Sequence, residues 1–261
     1  PKKGGSFVMA LTKTRFVAII FIVFLTMGVG IVSAAPKEHG PLTEFRLTAS
    51  DPSAGAEFGR SVAMDGDLVA VGAGGAVVVV GEESKAAGAV YLFKRHGQMY
   101  VPEAKLVAPD PTEGAEFGRA VAIQGNRVFV GSRFAQVGDL QKAWAVYVYR
   151  FNQGSWYLEE KIASPTPANE DNFGRALAIQ GNLLVVTARK ENLNAPDVGA
   201  AYVYTYKDGG WTFQAKLTAN DPAPGAYFGQ SVAVKGNLIT IGARNADPNG
   251  AGAVYFFRNA G

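Results

Sequence analysis

The 261 residues contain no cysteine and two histidines. A chain without cysteine has no disulfide scaffold and no thiol nucleophile, so its stability rests on burial. His39 falls in the amino-terminal tail and His96 in the turn "KRHGQ", where a solvated residue is the ordinary reading. There is no Gly-x-Ser-x-Gly, no His-Glu-x-x-His, no phosphate loop and no dinucleotide fingerprint. Net charge is lacking too. Residues 1–34 hold Lys2, Lys3, Lys13 and Arg15 and no acid, which leaves 21 basic against 22 acidic side chains in the remainder. A near-neutral domain gives no support to nucleic-acid binding as a whole-domain property.

Residues 1–34 read as upstream residues plus a signal peptide. Lys13 and Arg15 precede an apolar run, Phe16 to Val32, and Val32-Ser33-Ala34 offers a small-x-small cleavage site near Ala34. The rival is an uncleaved membrane anchor, since the run approaches the roughly 20 residues that span a bilayer. Glycines that loosen its end favour cleavage. The expected plan is a short tail over 35–42 and a secreted, periplasmic or cell-surface domain over 43–261, with no membrane contact after cleavage.

That domain repeats itself. Phe58-Gly59, Phe117-Gly118, Phe173-Gly174 and Phe228-Gly229 lie 59, 56 and 55 residues apart. They open "FGRSVAMDGDLVAVGA", "FGRAVAIQGNRVFVGS", "FGRALAIQGNLLVVTA" and "FGQSVAVKGNLITIGA", which align without a gap. Each is followed by "GAVYLF", "WAVYVY", "GAAYVY" or "GAVYFF", and three then continue into "YVPEAKLVA", "WYLEEKIAS" or "WTFQAKLTA". Each unit predicts four short strands. Gly66, Gly125, Gly181 and Gly236 supply the positive φ of a tight hairpin between the first two. The second strand is nearly all apolar, as suits a strand covered on both faces. The third carries Tyr91, Tyr147, Tyr202 or Tyr255, and the fourth places Lys105, Lys161 or Lys216 beside an aliphatic residue.

A four-stranded sheet with two apolar faces must stack on its neighbours, and radial stacking gives an all-β propeller. Each Phe is expected to wedge between neighbouring sheets, with the Gly after it permitting close backbone approach. The Phe-Gly pairs, "VGA" at Val71–Ala73, "IGA" at Ile241–Ala243 and the "GAVY" strands resemble the FG-GAP repeat family, whose propeller is also the head of integrin α chains. The likeness covers about residues 43–258. It implies a bacterial-type secreted blade array, of a kind that typically closes seven-bladed rings for adhesion and ligand binding. The family's proline is absent; Gly74, Arg133, Arg189 and Arg244 stand in its place. The family's calcium loop is also shortened here to "DGD", "QGN", "QGN" and "KGN". Calcium takes six to eight oxygens, which Asp65 and Asp67 alone do not supply, so no metal or other cofactor is expected.

The last copy stops after its third strand, while "TEFRLTA", Thr43–Ala49, matches a fourth strand. Two architectures stay open: a four-bladed ring closed by this strand, or part of a seven-bladed one.

Antiparallel pairing puts the start of the first strand and the end of the second on one rim. Arg60, Arg119 and Arg175 should therefore share a face with Arg133, Arg189 and Arg244. Asp51, Glu57, Asp110, Glu113, Glu116, Glu170, Asp171 and Asp221 bring compensating charge to it. One reading is a belt of ion pairs, each contributing about 0–1 kcal/mol; the near-cancellation of charge favours it. The other is an arginine-lined mouth for a carboxylate or sulfate. The apolar run "AVVVVG", Ala76–Gly81, has no counterpart in other copies and reads as an added strand or a sticky edge. The expected function is a non-catalytic module that binds an extracellular protein or glycan. The alternatives are a secreted polysaccharide hydrolase or lyase using rim carboxylates, and a structural module of a larger surface protein. Oligomeric state is not fixed by the sequence.

Overall fold

Glycine at the second position of a two-residue turn sets the first hairpin of every repeat, with φ of 56° at Gly66, 58° at Gly125 and 59° at Gly181 and Gly236. The structure is a computed structural model that describes residues 37–39, 42–137, 140–167, 171–247 and 249–259. The leader expected over 1–34 and the rim acid Glu170 lie outside the described residues.

A short antiparallel pair, β1 (Lys37–His39) and β2 (Leu42–Glu44), comes first. The first blade is β3 (Phe58–Asp65), β4 (Leu68–Ala73), then, after a separate hairpin of β5 (Val77–Val80) and β6 (Glu83–Ala86), β7 (Ala89–His96) and β8 (Met99–Leu106). The second is β9 (Ala120–Gln124), β10 (Arg127–Val137), β11 (Leu140–Asn152) and β12 (Ser155–Ala163). The third is β13 (Phe173–Gln180), β14 (Leu183–Ala188), β15 (Ala200–Lys207) and β16 (Gly210–Leu217). The last has three strands, β17 (Phe228–Lys235), β18 (Leu238–Ala243) and β19 (Ala253–Arg258). All pairings within the blades are antiparallel, between consecutive strands except that β4 pairs with β7 across the β5–β6 insertion, and the described residues contain no helix. The all-β blade array that the repeats predict is therefore present. The valine run forms the added hairpin β5–β6.

Blades join through the repeated stretch itself. Phe117 is fully buried among Ala70, Val90 and Leu92 of the first blade and Tyr147 and Tyr149 of its own. Its ring meets those tyrosines edge-on, with centroids 5.5 and 6.1 Å apart. Phe58, Phe173 and Phe228 make the same pair of contacts with Tyr91 and Phe93, Tyr202 and Tyr204, and Tyr255 and Phe257.

The glycines explain the rest of the motif. A Cβ on Gly72 would fall well under 3.0 Å from the Gly118 carbonyl oxygen, and one on Gly131 equally close to that of Gly174. The Phe-Gly of one blade and the Val-Gly-Ala of the blade before it are two halves of one backbone contact. At the third junction Thr187 replaces the glycine of the earlier blade, and a Cβ on Gly229 would lie 2.9 Å from the Thr187 Cβ. Hairpin tips link the same neighbours: Asp65, Gln124 and Gln180 accept from the Gly125, Gly181 and Gly236 N–H at 2.6, 2.6 and 2.7 Å.

The four-bladed ring closed by Thr43–Ala49 is not the arrangement found. Residues 42–44 pair with 37–39, residues 45–49 form no strand, the last blade keeps three strands, and the blades are not closed into a ring. The physical difference is that the backbone of Leu42–Glu44 pairs with Lys37–His39 and not with β19. Leu47 and Ala49 pack against Val69, Val71, Tyr91 and Phe93. Asp51, two residues on, accepts from the Tyr91 hydroxyl at 2.8 Å and the Lys105 ammonium at 2.6 Å. Leu106, Ala108 and Asp110 make equivalent contacts with the second blade while β8 stays the fourth strand of the first, so these contacts belong to the repeat and do not decide closure.

Candidate anion-binding site

Each Phe-Gly pair sits inside a four-residue turn. The N–H groups of Arg60, Arg119, Arg175 and Gln230 donate to the carbonyls of Glu57, Glu116, Asn172 and Tyr227 at 2.9–3.1 Å. The third residue is glycine with φ of 85–93°, as a type II turn requires. The first residue is also left-handed, with φ of 54° at Glu57, 48° at Glu116, 60° at Asn172 and 53° at Tyr227. That conformation costs an L-residue about 1–2 kcal/mol. The turn drives the Phe into the blade junction and sends the next side chain to the rim.

Arg60, Arg119 and Arg175 consequently line one cavity of about 470 Å³ with Glu57, Phe58 and Gly59. Arg119 also lines a neighbouring cavity of about 160 Å³ with Arg133, Trp144, Asn172, Arg189 and Lys190. Five of the six rim arginines thus converge. Arg244 stands beside them: its guanidinium lies 4.9 Å from the Tyr227 ring, and that of Arg189 5.2 Å from the same ring.

Their charges are only partly matched. Arg60 pairs with Glu57 at 2.9 Å, while Arg119 and Arg133 share Glu116. Among the described residues no ion pair reaches Arg175 or Arg189, and Arg189 donates to the neutral Gln230 carbonyl at 3.3 Å. The Nε atoms of Arg119, Arg175 and Arg189 are buried and have no hydrogen-bond partner. Burial, followed by the charges of Arg175, Arg60, Arg133 and Arg189, pushes Arg119 down to about 10. Burial and the charges of Arg189 and Arg60 push Arg175 down as well. A cluster of partly desolvated guanidiniums offers forked N–H donors to a planar or tetrahedral oxyanion.

The acids expected to offset the arginines are mostly engaged elsewhere. Asp110 accepts from the Tyr147 hydroxyl and from Lys161, both at 2.7 Å, as Asp51 does from Tyr91 and Lys105. Asp221 accepts from Tyr255 at 2.7 Å. In the third repeat Thr166 occupies the aspartate position, and Glu191 takes over by accepting from Tyr202 at 2.6 Å and pairing with Lys216. The Tyr147 hydroxyl is accordingly pushed up, by burial first and by Asp110 second. Glu113 accepts from the Ala86 N–H at 2.8 Å. Sequence reasoning finds the fixed tyrosine, the fixed lysine and the aspartates Asp51, Asp110 and Asp221, but not that they meet. The signal lies in the third repeat, where loss of the aspartate coincides with a new glutamate in the loop after the second strand.

Asp65 is held by the Gly125 N–H, and Asp67 accepts from Arg95 at 2.7 Å. Among the described residues no three side chains of His, Asp or Glu gather to hold a metal ion. His96 is exposed, at the end of β7 just before the Gly97–Gln98 turn. No helix among these residues is long and apolar enough to cross a membrane.

Comparison with known proteins fits the junction geometry. No curated protein matches the chain. Residues 43–93, 100–149, 156–204 and 211–257 each match the family described as FG-GAP repeat, whose unit thus begins on the fourth-strand segment and runs through the third strand of the next sheet. Repeats of this kind are typical of extracellular or surface proteins and are generally non-catalytic. With four matched segments covering most of its length, the chain belongs to the FG-GAP repeat family.

Proposed function

We propose that this chain is an exported, non-catalytic recognition module that binds an extracellular protein or glycan through an anionic group, a carboxylate or a sulfate, held on the Arg119–Arg175 rim. The observation that carries the reading is the charge imbalance at that rim. Five guanidiniums converge, three of their Nε atoms are buried without a partner, and Arg175 and Arg189 lack a carboxylate among the described residues. Surface ion-pair belts arrange the opposite situation, with each cation matched. Arg60, Arg119 and Arg175 are set by turns of the repeat, and Arg133, Arg189 and Arg244 follow the second strands, so a rigid scaffold presents them. The reading uses no metal and no cofactor.

The test is a binding screen against neutral, carboxylated and sulfated oligosaccharides and acidic peptides. Retention of anionic members by the wild-type chain, lost in Arg175→Glu and weakened by charge reversal at Arg133, Arg189 and Arg244, is the expected result. Binding that ignores ligand charge, or survives Arg175→Glu, sinks the proposal. Release of reducing ends or unsaturated sugars from the same glycans would instead mark a hydrolase or lyase.

A further inference from the structure

The two ends of the blade array carry complementary halves of the contact that joins blades inside it. In the first blade Val90 and Leu92 on β7 are fully buried, because the second blade covers them. Their counterparts on β19 are Val254 and Phe256, which are 57% and 66% exposed. In the second blade Val121 and Ile123 on β9 pack on the first. Their counterparts on β3 are Val62 and Met64, 62% and 66% exposed.

The backbone socket is also repeated. Gly88, Ala89, Val90, Gly72 and Ser61 receive Phe117-Gly118: the Phe117 N–H donates to the Ala87 carbonyl at 2.9 Å, and the Ser61 hydroxyl donates to the Gly118 carbonyl at 2.7 Å. The matching residues of the last blade, Gly252, Ala253, Val254, Gly242 and Ser231, line an open cavity of about 370 Å³. Serine occupies this position in the first and last blades, and alanine (Ala120, Ala176) in the two between.

The hairpin tips add charge. At each internal junction the residue before the turn glycine reaches the next tip. In the last blade that residue is Lys235, the one cation of the set, and the first blade's tip, Asp65-Gly66-Asp67, is the one acidic tip.

We infer that the last blade docks the first blade of a second copy, with Phe58-Gly59 entering the Gly242–Gly252 socket, Val62 and Met64 covering Val254 and Phe256, and Lys235 facing Asp65 and Asp67. The interface is head-to-tail, a heterologous contact between different faces of the two copies.

The experiment is sedimentation equilibrium of the purified chain over a concentration series, with a head variant, Val62→Glu with Met64→Glu, and a tail variant, Val254→Glu with Phe256→Glu. All four positions are exposed, so both variants should keep the wild-type circular dichroism and melting temperature. The wild type is expected to rise from one chain mass to two or more. Each variant alone is expected to stay at one chain mass, and the equimolar mixture to form a 1:1 pair that grows no further, since each partner supplies one intact half. Lys235→Glu should weaken wild-type assembly, and adding Asp67→Lys should restore it. A wild type that stays monomeric throughout overturns the inference. So does self-association that survives in either variant alone, or a mixture that fails to pair.

Discussion

The glycine-on-glycine contact between blades makes a quantitative prediction at Gly131. Its φ is not left-handed, so alanine meets no backbone penalty there, and mid-strand replacement of glycine would by itself favour folding by about 0.5–1 kcal/mol. The obstacle is across the junction. The added Cβ would press on the carbonyl oxygen of Gly174, which is main chain and has no rotamer to escape into. The second and third blades would have to separate, loosening fully buried Phe173 and Leu184. Overpacking of this kind costs about 1–3 kcal/mol. Gly242 is the internal control. It has the same place in the last blade, but a Cβ there meets first the Ser231 hydroxyl at 2.5 Å, the end of a side chain that can rotate. In dilute solution, urea unfolding should therefore place the Gly131→Ala midpoint below that of Gly242→Ala. A steric loss near 2 kcal/mol over a slope of about 2 kcal/mol per molar gives a gap of about 1 M. Equal midpoints would mean that the motif's glycines serve turn geometry alone and that the junction argument is wrong.

Phe173→Ala should cost about 3–5 kcal/mol, since the ring is buried between two blades and leaves a cavity neither can fill; a loss under 1 kcal/mol in the same unfolding assay would contradict the wedge. Arg127 hydrogen-bonded to Glu159 holds that carboxyl below its ordinary value of 4.5, against the opposing effect of burial. At Asp51 burial pulls upward, but Lys105 and Tyr91 outweigh it and the net direction is again down from 3.8. A depressed carboxyl stabilises the fold above its unfolded pKa and loses that contribution as pH falls through the folded one. The melting temperature should therefore drop below about pH 4, and Glu159→Gln should shallow that drop; an unchanged acid limb would refute the role of the pair. Inorganic sulfate should raise the melting temperature more than chloride at equal ionic strength, because an anion that binds only the folded rim stabilises by mass action, and Arg119→Gln with Arg175→Gln should remove the difference.

Much of this protein is local, and that much is visible in its sequence. The hairpin glycines, the apolar second strands and the alternating first strands follow from turn chemistry and period within ten residues. The wedge of Phe117 and its kin follows from needing to cover two apolar faces. The Asp110–Tyr147–Lys161 triad joins residues 37 and 51 positions apart, and no short-range pattern encodes such a meeting. Strand direction alone places these aspartates on the arginine rim, where they would balance it. Moving Asp51, Asp110 and Asp221 to the tyrosines is what leaves the rim short of negative charge. Thr43–Ala49 reads as a fourth strand by sequence, but Leu42–Glu44 pair with Lys37–His39 and not with the last blade.

The central claim is that unmatched arginines at the rim hold an anionic group. Isothermal titration of a sulfated oligosaccharide into the wild type and into Arg175→Gln, at low and at physiological salt, tests it most directly. The account predicts saturable binding to the wild type that weakens as salt rises and falls at least tenfold in the variant. Equal affinity in both proteins, or binding indifferent to salt, would contradict it.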